Sequence, residues 1–347
     1  MTTLAQHHPS LDNFFSRLRA LDAKLANASG RRQLLPAWWK SSLKESPSAV
    51  QQAIIGMSRA LNLELKSVLD PSQELRLKDF NCQYKKSKNT SDDELAVATS
   101  IIHSAATTAV MAMKVDFVPL PAASEIRNKI LSADNPWIDF ESLVEICWKH
   151  GIPVLHMPTL PVSKKMDAVV VDVDGRPAIA LTKNQSQSSW LLFHLAHEIG
   201  HIACGHLQPG ETLIDEKINE SEEGADEQES EADAYALELL TGSADRCYYS
   251  RGRMTANNLA MQARKIGREQ QVSPGHIVLN WAFEMAKGKS PKQAGPTWGV
   301  AGAALNALYP APNWKELLHQ KIEDNLDDEE VTESDIDYLF KLTGMDG

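Results

Sequence analysis

The chain has 347 residues, 43% of them apolar, and a formal net charge of −11, which excludes a single small module and allows a sizeable core or several packed units. Its longest nearly uncharged stretch, 104–115, falls well short of the roughly 20 residues a membrane span needs. The opening MTTLAQHHPSLDNFF lacks the basic flank, apolar block and small-residue cleavage site of an export signal, so a soluble, cytoplasmic protein without membrane contact is expected.

Residues 1–90 carry 14 Lys and Arg against 7 Asp and Glu, leaving a net −18 for everything after them. A basic front is the electrostatic footprint of a polyanion binder, although a helical unit also carries such a surplus for solubility alone. Apolar spacings of three and four predict helices in LDNFFSRLRALDAKLA, AVQQAIIGMSRALNLELKSVL and DDELAVATSIIHSAATTAVMAM. Ser46, Pro47 and Ser48 mark a helix start, Asn62 suits a left-handed turn, and Ser58 is small enough for a close helix crossing. These are weak helix-turn-helix features, since ELKSVLD offers only Lys66 for recognition and a generic helical hairpin fits equally well.

From residue 137 the pattern changes. WIDFESLVEICWKHGI predicts a helix closed by Gly151, and IPVLHM, AVVVDVD and PAIALT predict three strands, with DGRP at 174–177 turning between the last two. The polar run NQSQSS suits a helix cap for WLLFHLAHEIGHIACGH at 190–206, and Gly205 ends that helix. The stretch 211–238, with twelve carboxylates against one lysine, is expected to be a solvated loop and helix face. Helices follow in NNLAMQARKIGREQ and SPGHIVLNWAFEMAKG, then the acidic tail DNLDDEEVTESDIDYLF. The four cysteines, Cys82, Cys147, Cys204 and Cys247, form no CxxC pair, which argues against a disulfide scaffold and predicts reduced thiols.

His197 and His201 stand one turn apart on the same helix face, near enough for both imidazoles to reach one zinc ion. Glu198 is rotated by about 100° from His197, so it suits a base acting on metal-bound water better than a ligand. Gly200 removes a side chain where a second backbone could approach. Downstream, Glu229 is the candidate third ligand and Asp233, one turn on, can orient a histidine ligand, with Ala232 and Ala236 as a small-residue face against the first helix. Glu231 is an alternative third ligand that lacks the four-residue relation to Asp233. Three protein ligands leave a fourth position open, as catalytic zinc requires. His194 and His206 are expected to be packing or surface residues. Tyr248, Tyr249 and His276 are available to steady an oxyanion, and PAIALT to pair with an extended peptide substrate.

Over residues 138–245 the order of helix, GIPV strand, PAIAL strand, LAHEIGH helix and ESEADAYALELL resembles the ImmA/IrrE-type zinc metallopeptidases, of the gluzincin kind. That resemblance implies an α+β zincin-like core, with a small sheet and the HExxH helix, flanked by helical N- and C-terminal regions. It implies zinc on His197, His201 and Glu229, Glu198 as catalytic base, and a helix-turn-helix repressor as the protein substrate. The chain is also similar to the CapP subgroup, whose members are paired with repressors of CBASS anti-phage operons, are stimulated by single-stranded DNA and can place a cysteine on the zinc. Cys82 in FNCQYKKSK, among Arg76, Lys78, Lys85, Lys86 and Lys88, is the matching candidate, since neighbouring cations favour a thiolate. The expected organisation is a basic helical region at 1–115, a metallopeptidase core at 116–245 and a helical extension at 246–347. The rival expectation is a DNA-binding regulator whose zinc is structural and closed by Cys82.

Overall fold

The computed structural model describes residues 10–79, 81–85, 92–164, 166–215, 227–309 and 314–345, with the backbone alone at 81–85, 92–94, 214–215 and 328. The fold is α+β and mostly helical, around one mixed sheet. In front are α1 (Leu11–Leu21), α2 (Ala28–Leu34), α3 (Pro47–Ala60) and α4 (Leu65–Leu69), then strand β1 (Asn81–Lys85) and the long α5 (Asp92–Met111). Local chemistry accounts for several boundaries. The Ser10 side chain accepts from the Asn13 N–H at the start of α1, Pro47 occupies the first turn of α3, and Asn62 takes φ 51° to separate α3 from α4. The helical pair expected around Asn62 is present, but α4 is five residues long, little more than one turn.

The central part contains α6 (Ala123–Leu131), α7 (Phe140–Lys149), β2 (Val154–His156), β3 (Ala168–Val173), β4 (Arg176–Leu181), α8 (Ser189–Ala203), β5 (Glu211–Asp215) and α9 (Glu227–Thr241). Asp139 and Ser142 form a capping box at the start of α7. Gly151 follows α7 with φ 73°, where a Cβ would lie 2.5 Å from the Asp116 carbonyl oxygen. Strands β3 and β4 are an antiparallel hairpin whose turn residues, Asp174 and Gly175, both have positive φ, as a tight two-residue turn requires. The strand order is β1-β5-β3-β4-β2, with β1 parallel to β5, β2 parallel to β4, and β3 antiparallel to both its neighbours. Five consecutive residues of β3, from Ala168 to Asp172, are buried; because strand side chains alternate, both faces of the sheet are covered there. Helices α5 and α8 both pack on β3 and β4.

Four expectations need correction. The sheet has five strands where three were expected: β1 and β5 are short and carry polar residues, so their strand character comes from pairing with neighbours rather than from local pattern. The acidic stretch accordingly begins as structure, with Glu211 and Thr212 buried in β5 and the Glu211 carboxylate accepting the Gln208 N–H at 2.8 Å. Most of PAIALT lies in β4, paired with β3 along its length and with β2 at Ile179, Ala180 and Leu181, so its central residues have no edge to offer a peptide. The polar run before α8 also does not cap it through a side chain, since Ser188 is already in the helical region of backbone space.

The rest comprises α10 (Ala256–Gln270), α11 (Pro274–Ala286), α12 (Pro291–Leu308), α13 (Trp314–Asn325) and α14 (Glu333–Thr343). One hydrophobic cluster joins the front helices, the sheet, α8, α13 and α14, so the front region shares its core with the centre. The acidic tail is ordered through α14, where the Tyr338 hydroxyl donates to the Leu34 carbonyl at 2.5 Å. Helices α10 to α12 build a second cluster around Leu259, Ala263, Val278, Trp281 and Leu305. Arg127 clasps the two clusters together. Its guanidinium donates to the Leu240 carbonyl at 2.9 Å, at the end of α9, and to that of Gln271 at 2.8 Å, just past α10, satisfying terminal carbonyls of both helices. No helix among the described residues is long and apolar enough to cross a membrane.

Several imidazoles are buried neutral. Burial lowers His156 to a pKa of about 4, although the ring also bonds the Lys183 carbonyl at 2.9 Å, and it lowers His276 to about 4. In the unfolded chain both would titrate near 6.5. Between those values the unfolded state binds more protons, so the stability they contribute is complete above pH 6.5 and falls as pH drops toward 4. The slope is roughly 1.4 kcal/mol per pH unit for each imidazole. Urea unfolding is therefore expected to show a lower midpoint at pH 5 than at pH 7.5, and an unchanged midpoint would contradict the burial of these rings.

Candidate metal centre

Helices α8 and α9 touch backbone to backbone. A Cβ at Gly200 would lie 2.8 Å from the Ala232 carbonyl oxygen and 3.0 Å from its Cα, closer than any real Cβ sits. Ala232 and Ala236 are fully buried, as the small-residue face anticipated. This contact lets side chains one turn apart on α8, His197 and His201, meet side chains one turn apart on α9, Glu229 and Asp233.

The two imidazole Nε2 atoms are 3.0 Å apart. Glu229 straddles them, with Oε2 3.3 Å from His197 Nε2 and Oε1 3.3 Å from His201 Nε2. Donors bound to one ion at about 2.0–2.1 Å in tetrahedral geometry are separated by about 3.3 Å, which is the spacing between each imidazole and the carboxylate, while the two imidazole nitrogens are somewhat closer. Behind the first ring, His197 Nδ1 lies 2.8 Å from Asp233 Oδ1. An ionised carboxylate only accepts, so Nδ1 carries the hydrogen, which leaves Nε2 as the nitrogen that would turn a lone pair to an ion at the centre. Among the described residues, His197, His201 and Glu229 form a group that could hold a metal ion, and their donor chemistry fits one. Glu198 follows His197 on α8 and is only 1% exposed.

Glu231, weighed as an alternative ligand, instead reaches His206, with Oε2 2.9 Å from His206 Nε2. His206, expected to be a packing or surface residue, is buried and sits at the centre: its Nδ1 is 3.0 Å from His201 Nδ1. The available signal was the Gly-His pair ending the helix, which was read only as a stop. His194 packs as expected, its Nε2 3.2 Å from the Lys183 ammonium, which also pairs with Asp167 at 2.6 Å. Burial, with Lys183 beside it, pushes the His194 pKa well below the usual value.

Of the residues considered for oxyanion contact, Tyr248 gives its hydroxyl to Gln270 at 2.9 Å and Tyr249 is largely exposed. His276 stacks on Phe193 at 6.2 Å, and Phe193 in turn lies 6.3 Å from the His197 ring. Cys147, Cys204 and Cys247 are unpaired thiols, and burial raises the first of them strongly. Cys82 falls in β1, where its backbone pairs with Thr212, but its side chain lies outside the described residues.

Comparison with protein-family models, curated proteins and solved structures returns no match to this chain.

Gly200→Ala is expected to force the helices apart and move Glu229 away from the imidazoles. Unfolding stability should fall by about 1–3 kcal/mol, as overpacking does, and metal affinity, measured by competition with a chelator, should drop with it. A variant as stable and as avid as the parent would show that the two backbones are not in contact.

Proposed function

We propose that the protein is a zinc-dependent endopeptidase. The observation that carries this reading is the convergence of His197, His201 and Glu229 within 3.3 Å of one another, with the carboxyl of Glu198 buried alongside on the same helix. Two imidazoles and one carboxylate are a donor set that zinc takes when a fourth position is left for catalysis. Bound there, zinc supplies Lewis acidity for a carbonyl and draws the pKa of water toward neutrality. Glu198 then has the role of accepting the proton from the attacking water and delivering it to the leaving amine. Asp233 holds His197 in the tautomer that faces the centre.

The resemblance to ImmA/IrrE-type metallopeptidases supports a zincin-like core and a helix-turn-helix repressor as substrate, cleaved to derepress a stress or anti-phage operon. A carboxylate next to a candidate ligand on the same helix also favours the enzyme over a regulator with closed structural zinc, because a base needs a metal-bound water and a closed site has none. Contact with single-stranded DNA is supported by Trp38, which is 40% exposed beside Trp39 and has the exposed cations Arg32, Lys40 and Lys44 near it in the sequence. Aromatic faces among cations are what stacked bases and a phosphate backbone need. Regulation through Cys82 is supported only by the place of β1 in the sheet, next to β5, the strand that follows α8.

Glu198→Gln is expected to keep one bound ion per chain while lowering hydrolysis of a peptide library, read by mass spectrometry, by about 100-fold or more. Cleavage at the parental rate with metal retained would remove Glu198 from the reaction.

A further inference from the structure

We infer that His206 and Glu231 are a positioning pair for the candidate ligand His201, and that the stop of helix α8 is what builds it. The inference rests on the metal-binding reading of His197, His201 and Glu229.

The backbone comes first. Gly205 adopts φ 72°, its N–H donates to the Ile202 carbonyl at 3.2 Å, and the His206 N–H donates to the His201 carbonyl at 3.0 Å. These are the two bonds of a helix stop that uses a left-handed residue. In such a stop the residue after the left-handed one folds back onto the residue five before it, a contact that is commonly apolar. Here the two residues are His206 and His201, so the same turn that ends α8 brings a second imidazole against a ligand.

Proton order follows from what the partners can accept. Glu231, 56% exposed, is an acceptor only, so His206 Nε2 carries hydrogen toward it at 2.9 Å. The neutral ring then has a lone pair on Nδ1, which can only accept from His201 Nδ1 at 3.0 Å. His201 therefore has its hydrogen on Nδ1 and its Nε2 lone pair toward His197 and Glu229. The reverse order would put a hydrogen on His201 Nε2, at the point an ion has to occupy. His197 is set directly by a carboxylate, whereas His201 is set by a carboxylate acting through an intervening imidazole. All three carboxylates of Glu229, Glu231 and Asp233 come from α9, so that helix controls both ligands of α8.

The test compares His206→Leu, which removes the acceptor, with His206→Asn, whose side-chain oxygen can stand near the position of Nδ1. In the full-length chain, zinc affinity measured by chelator competition should fall about 10–100-fold in the Leu variant and stay within about threefold of the parent in the Asn variant. Both metal-free variants should unfold at the same temperature. Equal loss in both, or loss in neither, would overturn the inference and leave His206 as packing. A parent that binds no zinc would instead overturn the metal-binding reading beneath it. The nitrogen-15 spectrum of the zinc-loaded parent is an independent measure that needs no variant to fold: hydrogen on His201 Nδ1 and His206 Nε2 is expected, and hydrogen on His206 Nδ1 would overturn the inference.

Discussion

The whole centre depends on the backbone contact between Gly200 and Ala232. Two helices that approach this closely have no room for side chains between them, so on each helix the residue three before the crossing and the one just after it are brought together across the two helices. On α8 those are imidazoles and on α9 carboxylates. Neither helix would hold such groups cheaply alone. Glu198 is 1% exposed and the side chain of Glu229 22%, with Asp233 and Glu231 nearby at 46% and 56%. Several carboxylates gathered around two imidazoles whose Nε2 atoms are 3.0 Å apart form an arrangement that a cation relieves.

The surrounding fold keeps that crossing rigid. Helix α8 lies against β3 and β4, whose buried strands are covered on both faces, and α11 approaches its first turn closely enough that a Cβ at Gly275 would meet Ser189 Oγ at 2.1 Å. Arg127 satisfies the Leu239 and Leu240 carbonyls in the last turn of α9. The ligand helices are thereby anchored at the start of α8 and the end of α9, away from the donors. Rigidity of this kind is what lets a site hold its geometry to a fraction of an ångström.

The candidate ligand set was legible in the sequence because its signals are local. HExxH is set by the helical repeat, Glu229 and Asp233 by the same repeat, and Gly200 by the absence of a side chain in an otherwise apolar helix. The hairpin turn at Asp174 and Gly175 was legible for the same reason. What escaped reading depends on partners distant in the chain. NCQYK becomes a strand only because it pairs with ETLID, about 130 residues on, and ETLID because it also pairs with β3, some 40 residues before it. That PAIALT is an interior strand follows from β2 pairing beside it, which no local pattern announces. His206 was missed although its signal is local, because a glycine stop says where a helix ends but not which side chain the turn carries back over the last turn.

Zinc-edge X-ray absorption on the purified, zinc-reconstituted full-length chain tests the coordination most directly. One ion per chain is expected, with scattering from two imidazoles and first-neighbour nitrogen and oxygen at about 2.0–2.1 Å. Failure to retain any ion after reconstitution, or a bound ion whose spectrum lacks imidazole scattering, would contradict the assignment of His197, His201 and Glu229 as its ligands.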